Sequence, residues 1–77
     1  LRVLPNFFVQ FASSQHQARV ETLAQDLSHK LSVKSYVSSG DKLHRVFLGP
    51  FSDYMHSQKA LEQVKDLGYT SAFIKSH

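Results

Sequence analysis

The sequence predicts an α+β domain of order βαββαβ, a four-stranded antiparallel sheet with two helices packed on one of its faces. Three observations lead there. Four stretches alternate in side-chain character at a period of two, two stretches repeat their apolar residues at helical spacing, and turn or capping residues sit at the junctions.

The first strand is the run from Asn6 to Ser13. It is rich in aromatic and β-branched residues, with Phe7, Val9 and Phe11 on one face and Phe8, Gln10 and Ala12 on the other. Ser13 and Ser14 follow, with hydroxyls suited to capping the next helix. From about Gln15 to Lys30 the spacing becomes helical: Val20, Leu23, Ala24, Leu27 and Leu31 form one apolar stripe, opposite Gln17, Glu21, Gln25 and Asp26. Val33 to Ser38 returns to a period of two. Ser39-Gly40-Asp41 signals a turn, and the strand from Leu43 to Leu48 follows at once, so these two strands form a hairpin. Gly49-Pro50 ends that strand, because proline cannot continue a sheet ladder. Ser52 is placed as the N-cap of a second helix, with Asp53 in its first turn. Ala60, Leu61, Val64 and Leu67 make its apolar stripe, and Gly68 ends it in a left-handed conformation. Tyr69 to Lys75 supplies the last strand.

A split βαβ topology of this kind, ferredoxin- or RNP-like, leaves one sheet face without helices and puts the first and third strands at its centre. That bare face should hold Phe8, Gln10 and Ala12 beside Leu43, Arg45 and Phe47, with Tyr36 and Ser38 joining from the second strand. Leaving Phe8, Leu43 and Phe47 fully in water would forgo roughly 1.5–3 kcal/mol of burial apiece. An apolar centre with a polar and charged rim marks a binding surface.

The totals bound the remaining possibilities. The 77 residues, of which 42% are hydrophobic and 19% charged, make one globular domain, residues 1–77 with a core at about 7–75. There is no cysteine, so neither a disulfide framework nor thiolate chemistry is available. No run approaches the roughly 18 apolar residues that cross a bilayer, and Leu1 to Pro5 does not read as a signal peptide. The chain does not start with Met, so we expect it to be excised from a longer protein that carries any targeting or anchoring segment. The net charge of +3 resides between Lys30 and Arg45, where Lys30, Lys34, Lys42 and Arg45 face Asp41 alone. Such a patch favours anionic partners.

No catalytic or metal-binding constellation emerges. His16, His29, His44, His56 and His77 lack ligand spacing, and His44 reads as a satisfied core or edge histidine pointing inward beside Val46. The carboxylates are scattered, and the three glycines, Gly40, Gly49 and Gly68, each have a turn or cap to make. The expectation is a protein that is not an enzyme and takes no cofactor or metal.

The order and spacing of these motifs carry a resemblance. Phe8-Val9-Gln10-Phe11 with Ala12-Ser13-Ser14, then Leu43-His44-Arg45-Val46-Phe47-Leu48-Gly49-Pro50-Phe51, then Leu67-Gly68 and Phe73-Ile74, resemble a SPOR domain. This is the sporulation-related repeat domain of bacterial envelope and division proteins. What the resemblance implies is peptidoglycan binding without catalysis, directed to glycan strands stripped of stem peptides by amidases and enriched at division septa. It implies a periplasmic or cell-envelope location, and it leaves open whether the parent is membrane- or lipid-anchored. By position, Gln10 and Ser13 match the family's polar first-strand residues, Arg45 matches its third-strand arginine, and Leu43 falls at an apolar or aromatic place. The implied glycan-binding set is Phe8, Gln10, Ala12, Ser13, Ser14, Tyr36, Ser38, Leu43, Arg45 and Phe47. Gln10 and Ser13 would hydrogen-bond sugar hydroxyls and acetamido groups, the apolar residues would pack on ring faces, and Arg45 would meet lactyl carboxylates.

Two other readings suit the same bare sheet. One is an RNA-recognition-like module for single-stranded nucleic acid, disfavoured by the missing Lys/Arg-Gly-Phe-Gly-Phe-Val signature and the low charge. The other is protein docking or dimerisation, with Phe8 and Phe47 as anchors.

Overall fold

The computed structural model describes residues 6–76, so Leu1 to Pro5 and His77, with the expectations attached to them, lie outside the described residues. Six elements follow in the expected order: β1 (Phe7–Ser14), α1 (Gln17–Leu31), β2 (Ser35–Ser39), β3 (His44–Phe51), α2 (Tyr54–Asp66) and β4 (Phe73–Ser76). All pairings are antiparallel and the strand order is β2-β3-β1-β4, which puts β1 and β3 at the centre. Helix α1 packs on β1, β2 and β3, and α2 on β1, β3 and β4.

The core lies between the sheet and the helices. Val9, Val46 and Leu48 from the central strands meet Val20, Ala24 and Leu27 of α1 and Ala60 and Val64 of α2. Leu23, Leu31 and Leu61 are partly buried against this cluster, so both predicted stripes pack as expected except at one end. Leu67, predicted to close the second stripe, is instead the C-cap of α2 and 46% exposed. Ser57 takes a fully buried place that no hydrophobic pattern marks, and its hydroxyl is satisfied by donating to the Tyr54 carbonyl at 2.6 Å.

Several boundaries differ from the sequence expectation, each for a local reason. The N-cap of α1 is His16, which makes no side-chain cap bond; Ser14 contributes by accepting the His16 backbone N–H at 3.1 Å. The N-cap of α2 is Asp53 rather than Ser52, with Asp53 Oδ1 accepting the His56 backbone N–H at 2.8 Å. The hairpin loop runs through residues 40–43 and is closed by the Gly40 N–H donating to the Leu43 carbonyl at 2.9 Å. Leu43 therefore belongs to the loop and not to the strand. The last strand is four residues long, because residues 69–72 form a turn in which the Ala72 N–H donates to the Tyr69 carbonyl.

Two irregularities in the β1–β3 ladder control which side chains face where. At one end, Phe7 pairs with Phe51 and Val9 with Leu48, so β3 carries an extra residue around Gly49 and Pro50. Gly49 has φ +137°, and a Cβ there would lie 2.9 Å from the Phe7 carbonyl oxygen, so only glycine fits the bulge. Further along, Gln10 pairs with Phe47 but Ala12 pairs with Val46, so Phe11 is an extra residue in β1. Because side chains alternate, this bulge reverses the facing of everything after it.

Candidate functional site

The helix-free face can be read directly from the register. One row crosses all four strands: Tyr36 opposite Phe47, Phe47 opposite Gln10, Gln10 opposite Phe73. A polar row lies beside it, Ser38 opposite Arg45 and Arg45 opposite Ser13. On the other side of the long row, Phe8 pairs with Lys75. Eight of these nine residues sit on regular strand positions; Ser13 arrives through the β1 bulge.

Within this grid the aromatics hold one another. Phe8 stands edge-on to Tyr36, with ring centroids 6.1 Å apart, and edge-on to Phe47 at 6.2 Å. Such T-shaped pairs are favoured by the ring quadrupoles and fix the ring planes. Phe8 and Phe47 are half-buried, while Tyr36 and Phe73 are 46% and 47% exposed. Phe8, Tyr36, Ser38, Phe47, Pro50 and Lys75 line a shallow hollow of about 560 Å³. The Lys75 ammonium sits 5.8 Å from the centre of the Phe47 ring, a cation–π distance. A second hollow of about 450 Å³ opens where β4 begins, lined by Gln10, Ser13, Ser14, Arg19, Ser71 and Phe73 among others. Gln10 thus borders the long row and this second hollow alike.

The electrostatics of the two faces differ. Among the described residues, the ion pairs are Lys30 with Asp26 on α1, at 3.2 Å, and His56 with Asp53 at the start of α2, at 2.6 Å. Neither Arg45 nor Lys75 has a carboxylate partner among them, so the bare face presents two cations without internal neutralisation. Five of the six acidic residues lie on α1, α2 or the α2 cap, and Asp41 lies in the hairpin loop. The basic excess predicted between Lys30 and Arg45 is therefore not one patch: Lys30 is paired on the helix side, Lys34 and Lys42 lie outside the strands, and Arg45 alone reaches the face. The His56 backbone N–H holds the Asp53 carboxyl below its ordinary range, with a smaller contribution from the His56 ring.

Of the residues predicted for the site, Phe8, Gln10, Ser13, Tyr36, Ser38, Arg45 and Phe47 share the bare face. Ala12 does not. The bulge at Phe11 turns it to the helix side, where it pairs with buried Val46 and packs against the core. Ser14, the last residue of β1, is engaged with the start of α1 and pairs with His44 on the helix side of the sheet. Leu43 is half-buried in the hairpin loop, outside the paired register. His44 is the satisfied edge histidine expected, its Nδ1 2.8 Å from Ser39 Oγ. The sequence reading missed Phe73, Lys75 and Pro50. The first two were legible as the i, i+2 residues of the last strand, had its facing been assigned against Ile74.

Comparison with known proteins accords with this geometry. The endolytic peptidoglycan transglycosylase RlpA of Vibrio cholerae serotype O1 is 54% identical to the chain over 70 residues. Those residues are 91% of the chain but 27% of that protein, so the chain spans about a quarter of this relative's length. The solution structure of the peptidoglycan binding domain of the B. subtilis cell wall lytic enzyme CwlC has the same fold, with a TM-score of 0.82 at 22% identity. That match covers 100% of this chain and 95% of the other. The family model of the SPOR domain matches residues 4–76, nearly the whole sequence and every element described above. The chain belongs to the SPOR domain family.

Proposed function

We propose that the chain binds peptidoglycan through the bare face of its sheet, as a binding module and not as an enzyme. The observation that carries this reading is the row Tyr36–Phe47–Gln10–Phe73 with Ser38–Arg45–Ser13 beside it. It alternates flat apolar groups with amide, hydroxyl and guanidinium groups along a line about 14 Å across. A glycan strand has the complementary chemistry. Its ring faces are apolar enough to lie on Phe47, Tyr36 and Phe8, and its hydroxyl and acetamido groups match the amide of Gln10 and the hydroxyls of Ser13 and Ser38.

The finer reading concerns which glycan. Stem peptides are attached to the lactyl groups of muramic acid, where the linkage holds each lactyl carboxyl as a neutral amide. Their removal leaves a free carboxylate, for which Arg45 offers planar donors. We therefore assign the target as strands stripped of stem peptides, which amidases generate at division septa. On this reading the domain directs its parent protein to the septum from the periplasm or cell envelope. The names of the V. cholerae relative and of the B. subtilis domain, both concerned with peptidoglycan, support the substrate class.

The test is sedimentation of the 77-residue chain with purified sacculi, before and after amidase digestion. Greater retention on digested sacculi, lost in Gln10→Ala and Arg45→Ala, is the expected result. Equal retention on both materials would remove the preference for stripped strands. No retention on either would overturn peptidoglycan binding, and the face would then be tested as a protein-docking surface.

A further inference from the structure

We infer that Lys75 and Phe47 together make a charge-selective subsite, which accepts a carboxylate-bearing sugar ring in the Phe8–Tyr36–Phe47–Pro50 hollow and disfavours a neutral one. The inference rests on the glycan-binding reading of the same face and adds to it a second anion-reading residue, on a different strand from Arg45.

Three features of the hollow point there. Its floor and walls are mainly aromatic or imino-acid side chains, Phe8, Tyr36, Phe47 and Pro50, which offer flat apolar surface, with the hydroxyl of Ser38 at the side. Its one charged group is Lys75, and the ammonium already occupies the vicinity of the Phe47 ring at 5.8 Å. No carboxylate of the described residues pairs with Lys75. A sugar ring that settles on Phe47 must therefore share that ring with the ammonium or push it aside. A neutral ring that displaces it loses the cation–π attraction and gains no charge contact in return. A ring carrying a carboxylate keeps the ammonium in place as its counter-charge, so stacking and ion pairing occur together. The lysine makes the hollow discriminate by charge as well as add affinity.

Position makes this subsite distinct from that of Arg45. Arg45 lies two residues to one side of the long row, and Lys75 two residues to the other, on strands β3 and β4 with β1 between them. The spacing is about 13 Å along the strand direction. The two residues are thus anchored on either side of the long row and on different strands, so each can meet a separate carboxylate of a repeating anionic polymer.

The discriminating experiment compares two probes that differ only in charge: amidase-stripped glycan fragments, and the same fragments with their carboxylates converted to neutral amides. Binding of the chain is measured by calorimetry, with Lys75→Met and Lys75→Arg as variants. Lys75→Met keeps the apolar stem and removes the charge. The expected result is a roughly twofold to fivefold loss for the anionic probe, as befits one exposed charge contact. Affinity for the amidated probe stays unchanged or rises, and Lys75→Arg restores discrimination. A parallel loss for both probes, or no loss for either, would overturn the subsite while leaving glycan binding intact. Failure of the unsubstituted chain to bind either probe would overturn both.

Discussion

On the helix side of the sheet, Val9, Val46 and Leu48 are sealed from solvent beneath α1 and α2, while on the other side Phe8 and Phe47 of the same strands, with Tyr36 of β2, stay partly exposed. On β1 and β3 the two sets are interleaved one residue apart. Their different fates come from topology alone, because both crossover helices fall on one face. The helix side invests its apolar groups in stability, at about 1.5–3 kcal/mol for each large side chain fully buried. The bare side retains part of that driving force for a partner. It also adds what a core excludes, two unneutralised cations and an array of hydroxyl and amide groups. The contrast predicts that substitutions on one face move stability and those on the other move binding.

The largest effect should come from the core. Leu27→Ala removes a fully buried side chain from the centre of the α1 packing and should cost about 2–5 kcal/mol in urea denaturation. A loss under about 1 kcal/mol would mean that the helix face is not the tight core described. Gly49→Ala comes next, since the residue has φ +137° and its added Cβ would meet the Phe7 carbonyl oxygen at 2.9 Å. The expected cost is about 1–3 kcal/mol, with a secondary loss of glycan binding, because the bulge positions Phe8 beside Phe47. Retention of both stability and binding would show that the bulge does not set the face.

Gln10→Ala and Arg45→Ala should reverse the pattern. Their thermal unfolding should stay close to that of the unsubstituted chain, while retention on stripped sacculi falls by about tenfold, the value of one charge-assisted or buried hydrogen bond. Equal losses of stability and binding would erase the division of labour between the faces. The smallest effect concerns the cap of α2. The carboxyl of Asp53 is held below its ordinary range by the His56 N–H, so its contribution is present above about pH 4 and lost as pH falls through the lowered value. Asp53→Asn keeps a capping oxygen and should flatten this acid limb in a pH series of melting temperatures, without altering glycan binding at neutral pH.

The sequence made some of this legible and hid the rest for physical reasons. Strands β2 and β3 pair without interruption from Ser35–Leu48 to Ser39–His44, so simple alternation places Tyr36, Ser38, Arg45 and Phe47 correctly. In β1 the same rule works up to Phe11, which is buried in the core as expected, and fails from Ala12 onward. The bulge at Phe11 leaves no mark in residue type, since Ala12 is small enough for either face and Ser13 and Ser14 are both polar. Alternation therefore put Ala12 on the bare face, whereas pairing with Val46 puts it in the core and brings Ser13 to Arg45. Phe73 and Lys75 were missed because β4 is too short for its own periodicity to be read, and only its pairing with Phe8 and Gln10 orients it. Charge counting along the chain likewise overstated Lys30, which α1 turns toward Asp26, and passed over Lys75, which reaches the site from a stretch of balanced charge.

The central claim is that the helix-free face is the glycan-binding surface, and titration of the isotopically labelled chain with amidase-stripped glycan, followed by NMR, tests it most directly. The account predicts shift changes concentrated on Gln10, Ser13, Tyr36, Ser38, Arg45, Phe47, Phe73 and Lys75, with the outer surfaces of α1 and α2 unaffected. Changes centred on the helices, with the bare face silent, would contradict it.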